Sequence, residues 1–175
     1  MMAHRIGKDP LDYINEAKAQ KRQTMKRRFQ EYNPNAKFVD RFERVDQKFY
    51  LIIFSADWCS DCHIYVSSLA KTLLLAKNNM IAAKVVDYDS YRDIADELRV
   101  RGIPTMIIFD NKWREVGRFV EAPRKSGTVE EDICMIMEAK MAATQKAAPP
   151  TPEVVEDVKP ASPSEDSPTP GTNPL

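Results

Sequence analysis

The feature that most constrains this chain is the run Phe49-Tyr-Leu-Ile-Ile-Phe54, followed at once by Trp58-Cys-Ser-Asp-Cys62 and then by helical periodicity. A continuous apolar run rich in β-favouring residues, with no polar alternation, reads as a strand buried on both faces. Ser60 to Asn78 carries Val66, Leu69, Leu73 and Ala76 at helical spacing, so a helix should follow. Met80 to Val86 is a second apolar strand. A strand, a helix and a strand in this order form a crossover, which makes the two strands parallel. Tyr91 to Leu98 reads as a short helix, and Pro104 to Phe109 as a third strand. Asp110-Asn111-Lys112 is a turn, and Arg114 to Val120 returns antiparallel to the third strand. Thr128-Val-Glu-Glu131 has the pattern of a capping box. It opens a last helix carrying Ile133, Ile136, Met137 and Lys140. The expected class is α/β, a mixed central sheet of about four strands flanked by helices on both faces.

Ahead of this domain, assigned to residues 49–146, lies an N-terminal helical extension over residues 1–48. Pro10 suits a first helical turn, and Leu11, Ile14 and Ala17, then Met25 and Phe29, predict one helix over 10–31. Asn33-Pro34 predicts the start of a second, with Phe38, Phe42 and Val45 on one face. The stretch from Lys18 to Arg28 is dense in positive charge and reads as a solvated helix face. The sharper alternative is a patch that steers acidic partners. Residues 147–175 hold eight of the twelve prolines, five acidic residues and one lysine. Such a stretch cannot bury enough apolar surface to offset its ordering entropy, so it reads as a disordered Pro-rich acidic tail. A docking tail in the polyproline conformation is the alternative.

Charge and cysteine usage exclude several classes. The 26 basic and 26 acidic residues cancel, which argues against binding nucleic acid by bulk charge. No apolar run approaches the roughly 20 residues of a membrane span, so no membrane partner is expected. Three cysteines are too few for a disulfide-stapled secreted scaffold. The opening Met1-Met2-Ala3-His4-Arg5-Ile6-Gly7 has no apolar leader core. A cytoplasmic protein is the expectation.

Cys59 and Cys62 stand three apart where the first strand hands over to its helix. At i and i+3 of a first turn, two cysteines come close enough to form a disulfide. The first lies over unpaired N–H groups and the positive helix end, which favours its reactive thiolate. Cys59 should attack a substrate disulfide, and Cys62, more enclosed, should resolve the mixed disulfide. Structural zinc would need about four ligands, and only Cys134, His4 and His63 stand beside the pair. Cys59-Ser-Asp-Cys62-His63 also matches the haem-attachment pattern, but the strand–helix setting argues against it. His63 reads as a helix residue flanking the dithiol, and Cys134 as a small buried hydrophobe. No metal and no cofactor is expected.

With Trp58-Cys59-x-x-Cys62 and, 42 residues after Cys62, Pro104 within Arg101-Gly102-Ile103-Pro104-Thr105, the chain resembles the thioredoxin family over about residues 49–143. The resemblance implies a thioredoxin fold with a cis Pro104 packed against the dithiol. It implies that Ile103 offers backbone hydrogen bonds to a bound substrate chain. It implies an apolar groove of Trp58, Ile103, Pro104 and Val120, and places Lys84 on a lysine common near the family's active site. The chain departs from the family pattern in four ways. Ile53 replaces a usual buried acid, Ser60-Asp61 replaces Gly-Pro, Glu121 replaces a usual glycine, and N-terminal helices replace the first β-α unit. Asp61 at the helix start adds a negative charge beside the reactive thiol. The implied activity is protein-disulfide reduction, on disulfide-containing proteins. The electrons would come from a reductase or a low-molecular-weight thiol. The rival readings are a thioredoxin-fold binding or chaperone module without redox turnover, and a metal-delivery dithiol.

Overall fold

The computed structural model of the protein describes residues 1–16, 20–124 and 127–147, with no side-chain placement for residues 17–22. The order is α1 (Met2–Ile6), α2 (Pro10–Asn15), α3 (Gln20–Glu31), α4 (Ala36–Glu43), β1 (Phe49–Ser55), α5 (Ser60–Ala76), β2 (Ile81–Asp87), α6 (Arg92–Glu97), β3 (Thr105–Asp110), β4 (Glu115–Val120) and α7 (Val129–Ala147). The four strands form one mixed sheet in the order β2-β1-β3-β4. β1 is parallel to β2 and antiparallel to β3, and β3 is antiparallel to β4. From Leu51 to Ser55 β1 is buried throughout, which is why its sequence is continuous rather than alternating.

From β1 onward the elements start and stop within two residues of their sequence-based positions. The region before β1 differs more. The single helix expected over 10–31 is two helices, α2 and α3, and the chain opens with α1, which the sequence reading did not include. The cap of α4 is Asn35, whose side chain accepts the Lys37 N–H at 3.0 Å, so this helix starts two residues later than Asn33-Pro34 suggests. In α2 the side chain of Asp9 accepts the Leu11 N–H at 3.0 Å and Pro10 takes the first position. Both solutions satisfy orphan N–H groups with short polar side chains.

The N-terminal segment wraps around the outer edge of β2. His4 in α1 makes an edge-on contact with Tyr50, so α1 covers the face of β1 that carries Tyr50, Ile52 and Phe54. Lys8 then bridges Val85, donating at 2.8 Å and accepting at 2.7 Å. α2 arrives on the opposite face, where the Tyr13 hydroxyl reaches Ser55 at 3.3 Å. α3, α4 and α7 pack against α5 on that side. Tyr13, Ile14, Met25 and Phe42 from the N-terminal helices belong to the same core as Leu51, Ile53, Leu69 and Ile133. Polar contacts tie the layers. Arg41 pairs with Glu138 through two bonds of 2.8 and 2.7 Å. The Tyr32 hydroxyl donates to Glu130 at 2.7 Å. The Asn78 amide donates to the carbonyls of Phe42 and Val45, both at 2.8 Å.

Two readings from the sequence fall beyond the described residues. Ala17 and Lys18 lie among residues 17–19, and of Lys21 and Arg22, within α3, only the backbone is described. The tail lies outside the described residues, apart from Ala147, the last residue of α7.

Candidate active site

β1 ends at Ser55, and four residues later Cys59 caps α5. Its backbone is extended (φ −83°, ψ 112°), and its sulfur accepts the Cys62 N–H at 3.1 Å. A thiol therefore occupies the position that Ser, Thr or Asp usually fills, at the positive end of a 17-residue helix. Negative charge on that sulfur is stabilised by the N–H and the helix end together. Cys59 is 7% exposed and Cys62 is fully buried. The access predicted for Cys59 is thus a narrow opening, not a protruding side chain. Cys59, Cys62 and Cys134 are all free thiols.

The Cys59 sulfhydryl donates to the Ile103 carbonyl at 3.4 Å. The bond from Ile103 to Pro104 is cis. Thr105 fixes this loop by donating its hydroxyl to the Gly102 carbonyl at 2.6 Å. On its other side the Pro104 carbonyl accepts the Glu121 N–H at 2.8 Å. Ile103 and Pro104 therefore form the wall opposite the dithiol. Trp58, 54% exposed, is held by a 2.7 Å bond from its indole N–H to Asp89. Asp89 also pairs with Arg92 at 3.2 Å.

Burial pushes the Cys62 thiol well above the usual thiol range, and its hydrogen bond with Cys59 pushes the same way. The Ala56 N–H and the Ser55 hydroxyl pull it back. The two sulfurs thus sit in opposed environments, one at a helix end with access and one sealed beneath it. Asp61 is exposed in the first turn of α5.

Not every residue singled out from the sequence joins this group. Directly paired residues on neighbouring strands share a face of the sheet. The Tyr13 hydroxyl reaches Ser55 and α2 packs against α5, so Ile53 and Ser55 face that helix. Lys84 pairs with Ile52, on the opposite face. There it lies beside Gly7, where an added Cβ would stand 2.8 Å from the Lys84 Cβ. The structure does not bring Lys84 to the dithiol. Val120 pairs with Thr105 and lines a separate groove between β4 and α7 with Val116, Phe119, Met135 and Ile136. Neither cysteine, nor Ile103, nor Pro104, lines that groove.

The residues that could have joined a metal site lie in three settings. His63 bonds the Asp57 carbonyl at 2.8 Å through Nε2. His4 packs edge-on against Tyr50 and Trp113. Cys134 is buried in α7, and burial pushes its thiol up to about 12. Sequence reasoning missed Asp89, Ser55 and Tyr13. Asp89 reads as an ordinary loop acid. Ser55 reads as the polar end of an apolar strand, and Tyr13 lies 42 residues from its partner.

A buried dithiol capping the crossover helix, facing a cis-proline loop on a β2-β1-β3-β4 sheet, defines the thioredoxin fold. The family model described as Thioredoxin matches residues 7–134, and the chain belongs to the thioredoxin family. An H-type thioredoxin of Fagopyrum esculentum is 34% identical over 88 residues, 47% of this chain and 71% of that protein. A thioredoxin of Pongo abelii is 30% identical over 88 residues, 50% of this chain and 81% of that one. Among solved structures, a protein of unknown function from Pseudomonas aeruginosa superposes with a TM-score of 0.60 at 20% identity. It covers 83% of this chain and 96% of its own; at that identity the likeness concerns the fold alone. Family membership, with both cysteines in place, makes this a redox protein of the thioredoxin class.

Proposed function

We propose that this protein is a cytoplasmic protein-disulfide reductase working through a Cys59–Cys62 dithiol relay. The observation that carries the reading is the Cys59 sulfur at the cap of α5, bonded by the Cys62 N–H and facing Ile103, with Cys62 sealed beneath. The Cys59 thiolate attacks one sulfur of a substrate disulfide. A Cys59–substrate bond forms, and the departing substrate thiolate takes up a proton. Cys62 then attacks the Cys59 sulfur, the mixed disulfide breaks, and the second substrate thiol leaves protonated. Two electrons pass to the substrate, and Cys59–Cys62 is left oxidised. A dithiol reductase or a low-molecular-weight thiol returns them.

Trp58, exposed and pinned by Asp89, with Ile103 and Pro104, offers an apolar margin for an extended substrate segment. Reduced compartments keep such dithiols reduced, and three unpaired cysteines suit that setting. The intact dithiol weighs against a purely binding or chaperone role. The test is turnover of insulin disulfides with dithiothreitol, alongside trapping by Cys62→Ser. We expect turnover by the native chain and stable mixed disulfides on Cys59 in the variant. Absence of both would leave a binding module as the better reading.

A further inference from the structure

Glu121 follows β4 and is tied to the loop that faces the dithiol. Its φ is 62°, a left-handed backbone that residues other than glycine rarely adopt. Such strained positions persist where their surroundings hold them, and they gather at functional sites. Here the Glu121 N–H donates to the Pro104 carbonyl at 2.8 Å, which fixes the residue against the wall opposite Cys59. The side chain lies over Gly102, where an added Cβ would stand 2.4 Å from Oε1 and 2.6 Å from Cδ of Glu121. Gly102 precedes Ile103, whose carbonyl accepts the Cys59 sulfhydryl at 3.4 Å. The carboxylate thus stands one residue along the loop from the point that Cys59 faces.

Glu121 is exposed, and among the described residues no cation pairs with its carboxylate. The nearby cations are directed elsewhere. Arg101, on the same loop as Gly102, pairs with Asp96 at 3.3 Å. Arg118 pairs with Glu115, and Arg124 lines the separate groove between β4 and α7. Asp89 beside Trp58 is already paired with Arg92 at 3.2 Å. Asp61, exposed in the first turn of α5, stands on the helix side of the opening. An extended chain rises about 3.3 Å per residue. A substrate segment seated with its cysteine at Cys59 therefore brings the side chain next to that cysteine within reach of Glu121.

We propose that Glu121 is a specificity-determining residue, selecting disulfides whose cysteine is flanked by lysine or arginine. This inference rests on the dithiol relay proposed above and names the substrate class that the relay prefers. An ammonium or guanidinium beside the substrate cysteine meets the Glu121 carboxylate as a charge-assisted hydrogen-bond donor. An acidic flank meets like charge from Glu121 on the loop side and from Asp61 on the helix side. The contact is exposed, so it changes the rate by a few-fold and weakens with salt. Glycine at this position would relieve the backbone strain and leave the loop without its charge.

The test compares peptide dimers, each linked by one disulfide through a central cysteine that is flanked on both sides by lysine, by glutamine or by glutamate. Each is mixed in single turnover with the reduced full chain near neutral pH and low salt, and the peptide thiol released is measured after acid quenching. We expect the lysine dimer to react about tenfold faster than the glutamate dimer, with the glutamine dimer between them. Glu121→Gln should cut that ratio about threefold and leave the glutamine dimer within about twofold of native, and Glu121→Lys should cut the ratio further. Salt at about 0.5 M should shrink the native ratio more than that of Glu121→Gln. A role confined to holding the loop would change all the dimers alike. That outcome, equal rates for the lysine and glutamate dimers in the native chain, or a ratio that Glu121→Gln leaves unchanged, overturns the proposal while the relay stands. No reduction of any dimer by the native chain would overturn the relay and this inference with it.

Discussion

Asp61 lies one residue before Cys62 in the exposed first turn of α5, beside the sulfur that caps the helix. Its charge suits the helix end but opposes negative charge on Cys59. A charge at such a position is worth about 0.3–1 kcal/mol, so Asp61→Asn should quicken attack on a small disulfide about two- to fivefold near neutral pH. Single-turnover kinetics checks this. Unchanged or slower attack would show that the carboxylate does not act on Cys59, and slower resolution would assign it a role at Cys62. Glu121 stands where the family resemblance expects glycine, and its φ of 62° shows why glycine suits the position. Its carboxylate lies over Gly102, close enough that a Cβ there would overlap it. A left-handed non-glycine residue costs about 1–2 kcal/mol. Glu121→Gly should therefore raise unfolding stability by about 1 kcal/mol in urea denaturation. A loss instead would mean that packing over Gly102 outweighs the backbone strain.

At the scale of elements, the β3–β4 hairpin is organised by one carboxylate. The Asp110 side chain accepts the N–H groups of Lys112 and Arg114 at 2.9 and 3.0 Å and the Arg114 guanidinium at 2.9 and 2.7 Å. Lys140 of α7 adds a contact at 3.4 Å. Burial alone would raise this carboxyl's pKa, but Arg114, the two backbone donors and Lys140 outweigh it and hold it well below the usual carboxylate range. Its stabilising contribution is therefore complete above the unfolded value near about 4. It is lost as pH falls from there toward the depressed folded value. Asp110→Asn should cost about 1–3 kcal/mol at neutral pH and flatten the decline of stability below about pH 4. Urea titrations at neutral and acid pH check both; a native-like acid decline in the variant would place its origin elsewhere. The turn was legible from Asp110-Asn111-Lys112, because short polar side chains that bond nearby N–H groups mark turns. The pairing with Lys140, 30 residues on, was not. The strands and α5 were legible because burial on both faces, and on one helix face, leaves a period in the sequence. α1 was missed because five residues are too few to show a period.

For the whole molecule, the helices before β1 share the sheet's core. Phe42 of α4 is fully buried, its own carbonyl and that of Val45 accept from the Asn78 amide, and Arg41 is paired with α7. Phe42→Ala should destabilise the chain by about 3–5 kcal/mol. Unfolding followed by fluorescence of Trp58 and Trp113 should stay a single transition. A separate early transition that leaves the sheet's midpoint unmoved would show that residues 1–48 fold independently. The sequence by itself determined the strand order along the chain, the crossover, the place of Cys59 and Cys62 at the start of α5, and the turn at Asp110. Each is a local pattern, set by hydrophobic period or by a side chain bonding its own backbone. Only the tertiary structure decided that the N-terminal segment rounds β2 to cover both faces, and that Lys84 faces away from the dithiol. It alone decided that Val120 opens on another groove, and that Tyr13 reaches Ser55. Those depend on register, where a shift of one residue exchanges the faces, and on contacts between residues tens of positions apart, whose partners no local pattern names.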